Sequence, residues 1–184
     1  NGSNVICEKP LVLTNDHLIK IKKLEKKYNK KVFTVLQLRT LNIIKKLLKK
    51  IKKSKNLNNI KIDYITPRDQ SYLKTWKGNP KKSGGIIFNI GIHLLDLLCY
   101  LFGEPKKSII LESGKDFSRG EIIFKKAKAN YFLSIREKDI YSYKGKRVIR
   151  DFFINEKKLN LVTKSAEKCH IDCYKEILNK KNFD

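Results

Sequence analysis

Asn89, His93 and Asp96 stand four and then three residues apart in an otherwise apolar run from Phe88 to Phe102. At about 100° per residue this spacing puts all three on one helical face. A polar stripe on an apolar helix must be satisfied. One reading is a structural network in which Asp96 caps or orients His93. The other makes His93 a general base, because an imidazole whose tautomer is fixed by a carboxylate can take a hydroxyl proton as hydride leaves the same carbon. Spacing alone does not choose between them. Lys9 is the second candidate: it follows the strand-like Val5 to Cys7 and precedes Pro10. That puts it at the carboxyl edge of a parallel sheet, where open α/β sheets bind ligands. A desolvated ammonium there can hold a substrate oxygen or ease its deprotonation.

The surrounding elements must position these groups. Thr14 or Asn15 caps a helix that runs to about Tyr28, with Leu18, Ile21, Leu24 and Tyr28 on its apolar face. KVFTVLQL, Lys31 to Leu38, is rich in β-branched and aromatic residues and reads as a buried strand. Strand, helix, strand is a piece of parallel α/β architecture. Thr40 to Ser54 reads as an amphipathic helix and Asn59 to Ile65 as a strand. The stretch TPRDQSYLKTWKGNPKKSGG, which holds the single Trp, Trp76, reads as a long loop with a functional role. Past the apolar helix and its stop at Gly103 and Pro105, segments 107–112, 119–124, 127–135, 147–154 and 157–162 read as antiparallel strands, and Glu167 to Asn179 as a closing helix.

With 184 residues and 41% hydrophobic content, the chain can bury a proper core. The longest apolar stretch, Ile90 to Phe102, is broken by Gly91, His93 and Asp96 and falls short of the roughly 18 residues of a membrane span. No membrane association is expected, and with no signal pattern at the N-terminus a cytoplasmic location follows. A start at Asn1 and the lack of any Met lead to the expectation that coding sequence upstream is missing. The net charge of +24 raises the prospect of a polyanion partner. Yet Lys far exceeds Arg, and the basic residues are spread out rather than clustered with stacking aromatics, so a solvated basic surface is favoured over specific nucleic-acid binding. Cys169, His170 and Cys173 form C-H-x-x-C, which lacks a fourth ligand nearby, so no metal is expected and the cysteines read as reduced thiols.

EKPL at Glu8 to Leu11 and GGIIFNIGIHLLDLL at Gly84 to Leu98 together resemble the two motifs of the Gfo/Idh/MocA oxidoreductases. The resemblance covers essentially the whole chain. It narrows toward the UDP-N-acetylglucosaminuronate 3-dehydrogenase branch at VFTVLQLR, YITPR, Thr75 to Gly78, Asn89, YFLSI at Tyr131 to Ile135, and the H-x-x-x-Y of His170 and Tyr174. It implies that Lys9 and His93 are the catalytic pair. It implies NAD as cofactor, with NADP open, contacted by Glu8, Lys9, Pro10 and Gln37. The nucleotide-sugar substrate would be contacted by Arg39, Arg68, Tyr72, Trp76 and Asn89, in a homo-oligomer, a tetramer in relatives, serving polysaccharide synthesis. Some relatives recycle NADH with 2-oxoglutarate.

The implied fold is α/β plus α+β: residues 1–36 as the C-terminal part of a Rossmann domain, and 37–184 as a substrate-binding domain with an antiparallel, open-faced sheet. Three departures stand out. The chain holds no GxGxxG fingerprint, Leu41 and Asn42 replace a His-Pro pair, and Asp69 stands where a Gly is usual. The resemblance therefore implies weak NAD binding by this chain alone. Other sugar or inositol dehydrogenases of the family, a cofactor-less basic module and an inactive remnant are the competing readings.

Overall fold

The computed structural model describes residues 2–161 and 165–179. The chain begins with a β-α-β unit. Strand β1 (Val5–Cys7) pairs in parallel with β2 (Val32–Thr34), and helix α1 (Asn15–Tyr28) crosses between them. Thr14 caps α1, its hydroxyl accepting from the His17 amide at 3.4 Å. Strand β2 is shorter than the β-favouring run Lys31 to Leu38 suggests. It ends at Thr34, and Gln37–Thr40 winds into a 3-10 turn. There the Thr40 hydroxyl donates to the Gln37 carbonyl at 2.7 Å.

Helix α2 (Asn42–Lys53) starts two residues later than the sequence pattern indicates. The residue before it, Leu41, has no side-chain oxygen to cap the first turn and packs on the core instead. The helix buries Ile44 and Ile51 and turns its lysines outward. Strand β3 (Asn58–Ile65) then runs toward the site.

The stretch after β3 is more ordered than its Pro and Gly content suggests. It holds helix α3 (Gln70–Lys74), a 3-10 turn at Trp76–Gly78 and helix α4 (Pro80–Ser83). Asp69 caps α3, its carboxylate accepting from the Tyr72 amide at 3.0 Å and from the Ser71 hydroxyl at 2.7 Å. Those bonds, the Ser71 hydroxyl foremost, hold its pKa below the usual carboxylate value. Asp at this position therefore builds the helix that presents Tyr72. Gly84, at φ 75°, supplies the left-handed turn that ends α4.

The next segment, Ile87–Gly91, is a π-helical turn that leads into α5 (Ile92–Phe102). The segment Pro80–Phe102, taken as one span across the turn at Gly84, is by length and composition alone apolar enough to cross a membrane, and it is longer than the apolar stretch identified in the sequence. Its apolarity has a local cause: Leu94, Leu97, Leu98 and Leu101 are buried in the core against the sheet.

Strands β4 (Lys107–Ser113), β5 (Phe117–Ile123), β6 (Ala127–Ser134), β7 (Ile149–Ile154) and β8 (Lys157–Lys158) join β3 in a six-stranded sheet of order β4-β5-β6-β3-β7-β8. The sheet is mixed. Every pairing is antiparallel except β3 with β6, which are parallel because the β3-to-β4 connection crosses over through α5. The segment read as a strand at 157–162 is ordered as a strand at Lys157–Lys158, and residue 162 lies outside the described residues. Helix α6 (Ala166–Leu178) sets Cys173 and Ile177 against Val35, Ile6 and Phe33, closing the chain onto the β-α-β unit. Cys169 is buried too, and among the described residues no group of three His, Cys, Asp or Glu could hold a metal ion.

Candidate active site

The carboxyl ends of β1 and β2, the 3-10 turn after β2, the π turn before α5 and the carboxyl end of β3 meet at one place. Lys9, just past β1, reaches across to the π turn and donates from Nζ to the Asn89 carbonyl at 2.6 Å. A π turn leaves one carbonyl per turn without its ordinary α-helical partner, and such turns frequently mark functional sites. Here that turn receives an ammonium. Burial lowers the Lys9 pKa from its ordinary value; the Glu8 carboxylate opposes this and the Lys77 charge adds to it.

His93 lies one turn further on, partly buried, with Nδ1 enclosed and lacking a hydrogen-bond partner among the described residues. Burial first, then the electrostatic effect of Lys9 and of the His170 ring, push its pKa down to about 4. The ring is therefore neutral at pH 7, with an unshared proton-accepting nitrogen. His170, on α6, approaches Glu8 with Nδ1 at 3.6 Å from the carboxylate, so α6 adds to the electrostatics of the site.

Asp96 does not orient His93. It binds Arg39 through two bonds, Nε to Oδ2 at 3.0 Å and Nη2 to Oδ1 at 2.5 Å, and the Arg39 guanidinium also lies 5.0 Å from the Tyr100 ring centre. Nor do the three polar residues form one network. The wider π turn displaces Asn89 from the 100° rotation of an α-helix, and its side chain turns away to donate to the Tyr72 hydroxyl at 2.5 Å and the Lys77 carbonyl at 3.4 Å. His93 is left for the site, while Asp96 clamps the 3-10 turn that carries Gln37.

This clamp gives a direct test. Both side chains are mostly buried, at 16% and 11% exposure, and Asp96→Ala leaves the Arg39 charge without its partner. The expected loss of stability is about 3 kcal/mol. A thermal melt should then show the midpoint falling by roughly 6–12 °C; a fall within 1–2 °C of zero would mean that the pair holds nothing.

Two cavities flank the π turn. The first, of about 210 Å³, is lined by His93, Gln37, Tyr64, Arg150 and apolar groups that include Ile90 and Phe152. The second, of about 670 Å³ and more open, is lined by Arg68, Tyr72, Trp76 and Lys77 among others. Arg68 lies 5.3 Å from the Tyr72 ring centre, and Trp76 is 54% exposed, an aromatic face open to a ligand. Asn89 joins the two cavities, since its side chain holds the wall of the second and its neighbour Ile90 lines the first.

The structure thus brings Lys9, Asn89 and His93 together, with Gln37 on the same cavity as His93. Glu8 and Pro10 flank Lys9, and Arg68, Tyr72 and Trp76 form the adjoining cavity. Arg39 sits behind the site in its pair with Asp96. Tyr64 and Arg150 are missing from the sequence reading. They face each other across the β3–β7 ladder, and that register is set by tertiary pairing rather than by any local pattern.

Residues 49–122, from α2 into β5, match the family described as the oxidoreductase family's C-terminal alpha/beta domain, GFO_IDH_MocA. A curated relative, oxidoreductase P35 of Formosa agariphila, is 32% identical over 164 aligned residues, covering 79% of this chain and 50% of that protein. The fold is similar to that of the WlbA (WbpB) dehydrogenase from Thermus thermophilus in complex with NAD and alpha-ketoglutarate. The TM-score is 0.89 at 30% identity, covering 99% of this chain and 60% of the other. The same enzyme in complex with NAD and UDP-GlcNAcA matches with a TM-score of 0.88 at 30% identity, covering 98% of this chain and 59% of the other. The chain spans about half the length of the curated relative that it matches. Residues 49–122 thus match the C-terminal alpha/beta domain of the Gfo/Idh/MocA oxidoreductase family in sequence, and nearly the whole chain is similar in fold to a dehydrogenase.

Proposed function

We propose that this chain is the substrate-binding part of an NAD-dependent dehydrogenase that oxidises the C3 hydroxyl of a UDP-linked N-acetylglucosaminuronic acid. One observation carries the reading: a half-buried ammonium, Lys9, bonded to the turn that leads to His93, and a neutral imidazole, His93, lie close enough for the charge of one to depress the pKa of the other. Oxidising an alcohol needs a proton acceptor and a positive charge beside the oxygen, and this pair offers both. The Thermus thermophilus enzyme crystallised with NAD and UDP-GlcNAcA supports the choice of cofactor and sugar.

The residues present fit the redox end of NAD. Lys9 stands at the carboxyl end of a parallel strand, and the enclosed His93 Nδ1 has no partner among the described residues. Glu8, Lys9, Pro10 and Gln37 would border the nicotinamide, and NAD, when bound, supplies the hydride acceptor. The His93 imidazole takes the hydroxyl proton, and the Lys9 ammonium stabilises the negative charge that develops on the oxygen. Asn89 holds Lys9 through its carbonyl and Tyr72 through its amide. Arg68, Tyr72 and Trp76 offer a cation and flat aromatic faces to the nucleotide. Arg39, already bonded to Asp96, serves as a positioning residue for Gln37.

In this reading residues 1–36 complete the dinucleotide-binding domain and residues 37–184 form the substrate domain. The implied setting is surface-polysaccharide sugar synthesis in the cytoplasm, by a homo-oligomer. The test is NADH formation by the full product of the gene, offered NAD with UDP-GlcNAcA, myo-inositol or glucose in turn. Turnover on UDP-GlcNAcA alone is expected; turnover on inositol or glucose in its place would assign a different substrate, and none on any of them would sink the reading.

A further inference from the structure

The cavity that holds His93 contains one full positive charge that the proposed chemistry leaves unused. Arg150 lies on β7 directly opposite Tyr64 on β3, and its guanidinium carbon is 5.7 Å from the Tyr64 ring centre. Both side chains line the cavity beside His93 and Gln37. Arg150 is an exposed residue, and among the described residues its guanidinium makes no ion pair and no hydrogen bond. Asp151, the next residue in β7, also borders the cavity, and its carboxylate is bound to Lys158 at 2.5 Å. The other candidate arginines are committed elsewhere: Arg39 to Asp96, and Arg68 to the second cavity over Tyr72. A guanidinium kept over an aromatic ring, with its fork of donors unfilled, is built to take a planar anion in two parallel bonds.

We propose that Arg150 is the carboxylate-recognising residue of the His93 cavity, gripping an acid group on the same small molecule whose hydroxyl lies at His93. The inference rests on the dehydrogenase reading and deepens it by dividing the substrate between the two cavities. At about 210 Å³, the His93 cavity lies below the ~300 Å³ lower end of pockets that enclose a whole drug-sized ligand. It suits one sugar ring with its carboxylate. The nucleotide then falls to the larger cavity of Arg68, Tyr72 and Trp76. A uronate and a 2-oxo dicarboxylate share the chemistry that Arg150 would read.

The test is calorimetric titration of the chain, as wild type, Arg150→Gln and Arg68→Gln, with UDP-GlcNAcA, with the neutral UDP-GlcNAc, with UDP and with 2-oxoglutarate. Arg150→Lys and a thermal melt of each variant control for folding. Wild type should prefer UDP-GlcNAcA to UDP-GlcNAc by about tenfold or more, the scale of a charge-assisted bond pair. In Arg150→Gln that ratio should collapse to about twofold or less, and Arg150→Lys should restore part of it. Affinity for UDP should fall in Arg68→Gln.

The proposal is overturned if wild type shows no preference, or if Arg150→Gln keeps it while UDP still binds; the nucleotide-sugar reading then survives alone. If UDP and both UDP sugars fail to bind, the nucleotide-sugar reading fails. Binding of 2-oxoglutarate that Arg150→Gln abolishes would then keep Arg150 as a carboxylate site, and its failure to bind would end both.

Discussion

If His93 is the general base of the proposed dehydrogenase, replacing it with Gln is expected to lower turnover of the full gene product on UDP-GlcNAcA by about 10²–10⁴-fold, the range that a positioned general base contributes. Lys9→Met should cost a similar factor, because it removes the charge that stabilises the developing alkoxide. The two differ in their pH behaviour. A base with a pKa of about 4 is unprotonated, and so active, over the neutral range. The limb of the kcat/KM profile that belongs to His93 should therefore appear only as pH falls toward 4. Lys9→Met removes the second-largest cause of that depression, so the limb should move to higher pH. A limb that stays in place would show that Lys9 and His93 do not share a site. Turnover in His93→Gln within a few fold of wild type would remove His93 from the proton path.

The second large effect is on stability. His93 has a pKa of about 4 in the folded chain and about 6.5 when unfolded. Between these values the unfolded chain binds the proton and the folded chain resists it, so stability rises with pH across that window. His93 contributes nothing adverse above pH 6.5 and costs progressively more as pH falls toward 4, to a total of roughly 3 kcal/mol. Urea unfolding of wild type and His93→Gln at intervals of pH should show a difference in ΔG that grows between pH 6.5 and 4 and levels off below. Burial pushes the Asp139 carboxyl up, but hydrogen bonds from Arg136 and Ser134 bring it on balance below the ordinary carboxylate value, so it acts only at lower pH and is common to both chains. Parallel curves across the window would contradict the buried, neutral state of His93.

The β-α-β start, the capped α1, the apolar helix with its polar residues and the row of short strands were legible because each rests on local chemistry. Thr14 is a good cap, α2 has lysines on one face and isoleucines on the other, and the later strands are β-branched runs between turn residues. Three features were not legible. The π turn at Ile87–Gly91 has no sequence signature, and it undid the single-face stripe by sending Asn89 to Tyr72 while His93 stayed in the site. The Asp96–Arg39 pair joins residues 57 positions apart, so helical spacing tied Asp96 to His93 instead. Arg150 reaches the cavity only through its register opposite Tyr64. Lys9 was singled out because the carboxyl end of a parallel strand is where open α/β sheets bind ligands. The motif resemblance then joined it to His93 across some 80 residues that no periodicity could bridge.

Where a nucleotide uronate sits decides whether Lys9 and His93 act on it. The decisive measurement is the nitrogen and carbon NMR signals of the His93 ring, assigned with the His93→Gln chain, as UDP-GlcNAcA is added to the protein. Saturable shifts of the His93 ring are expected in step with a change in Trp76 fluorescence, both weakened in Lys9→Met. Saturation of Trp76 with the His93 ring unmoved would contradict this, by placing the sugar outside the cavity where the chemistry is assigned.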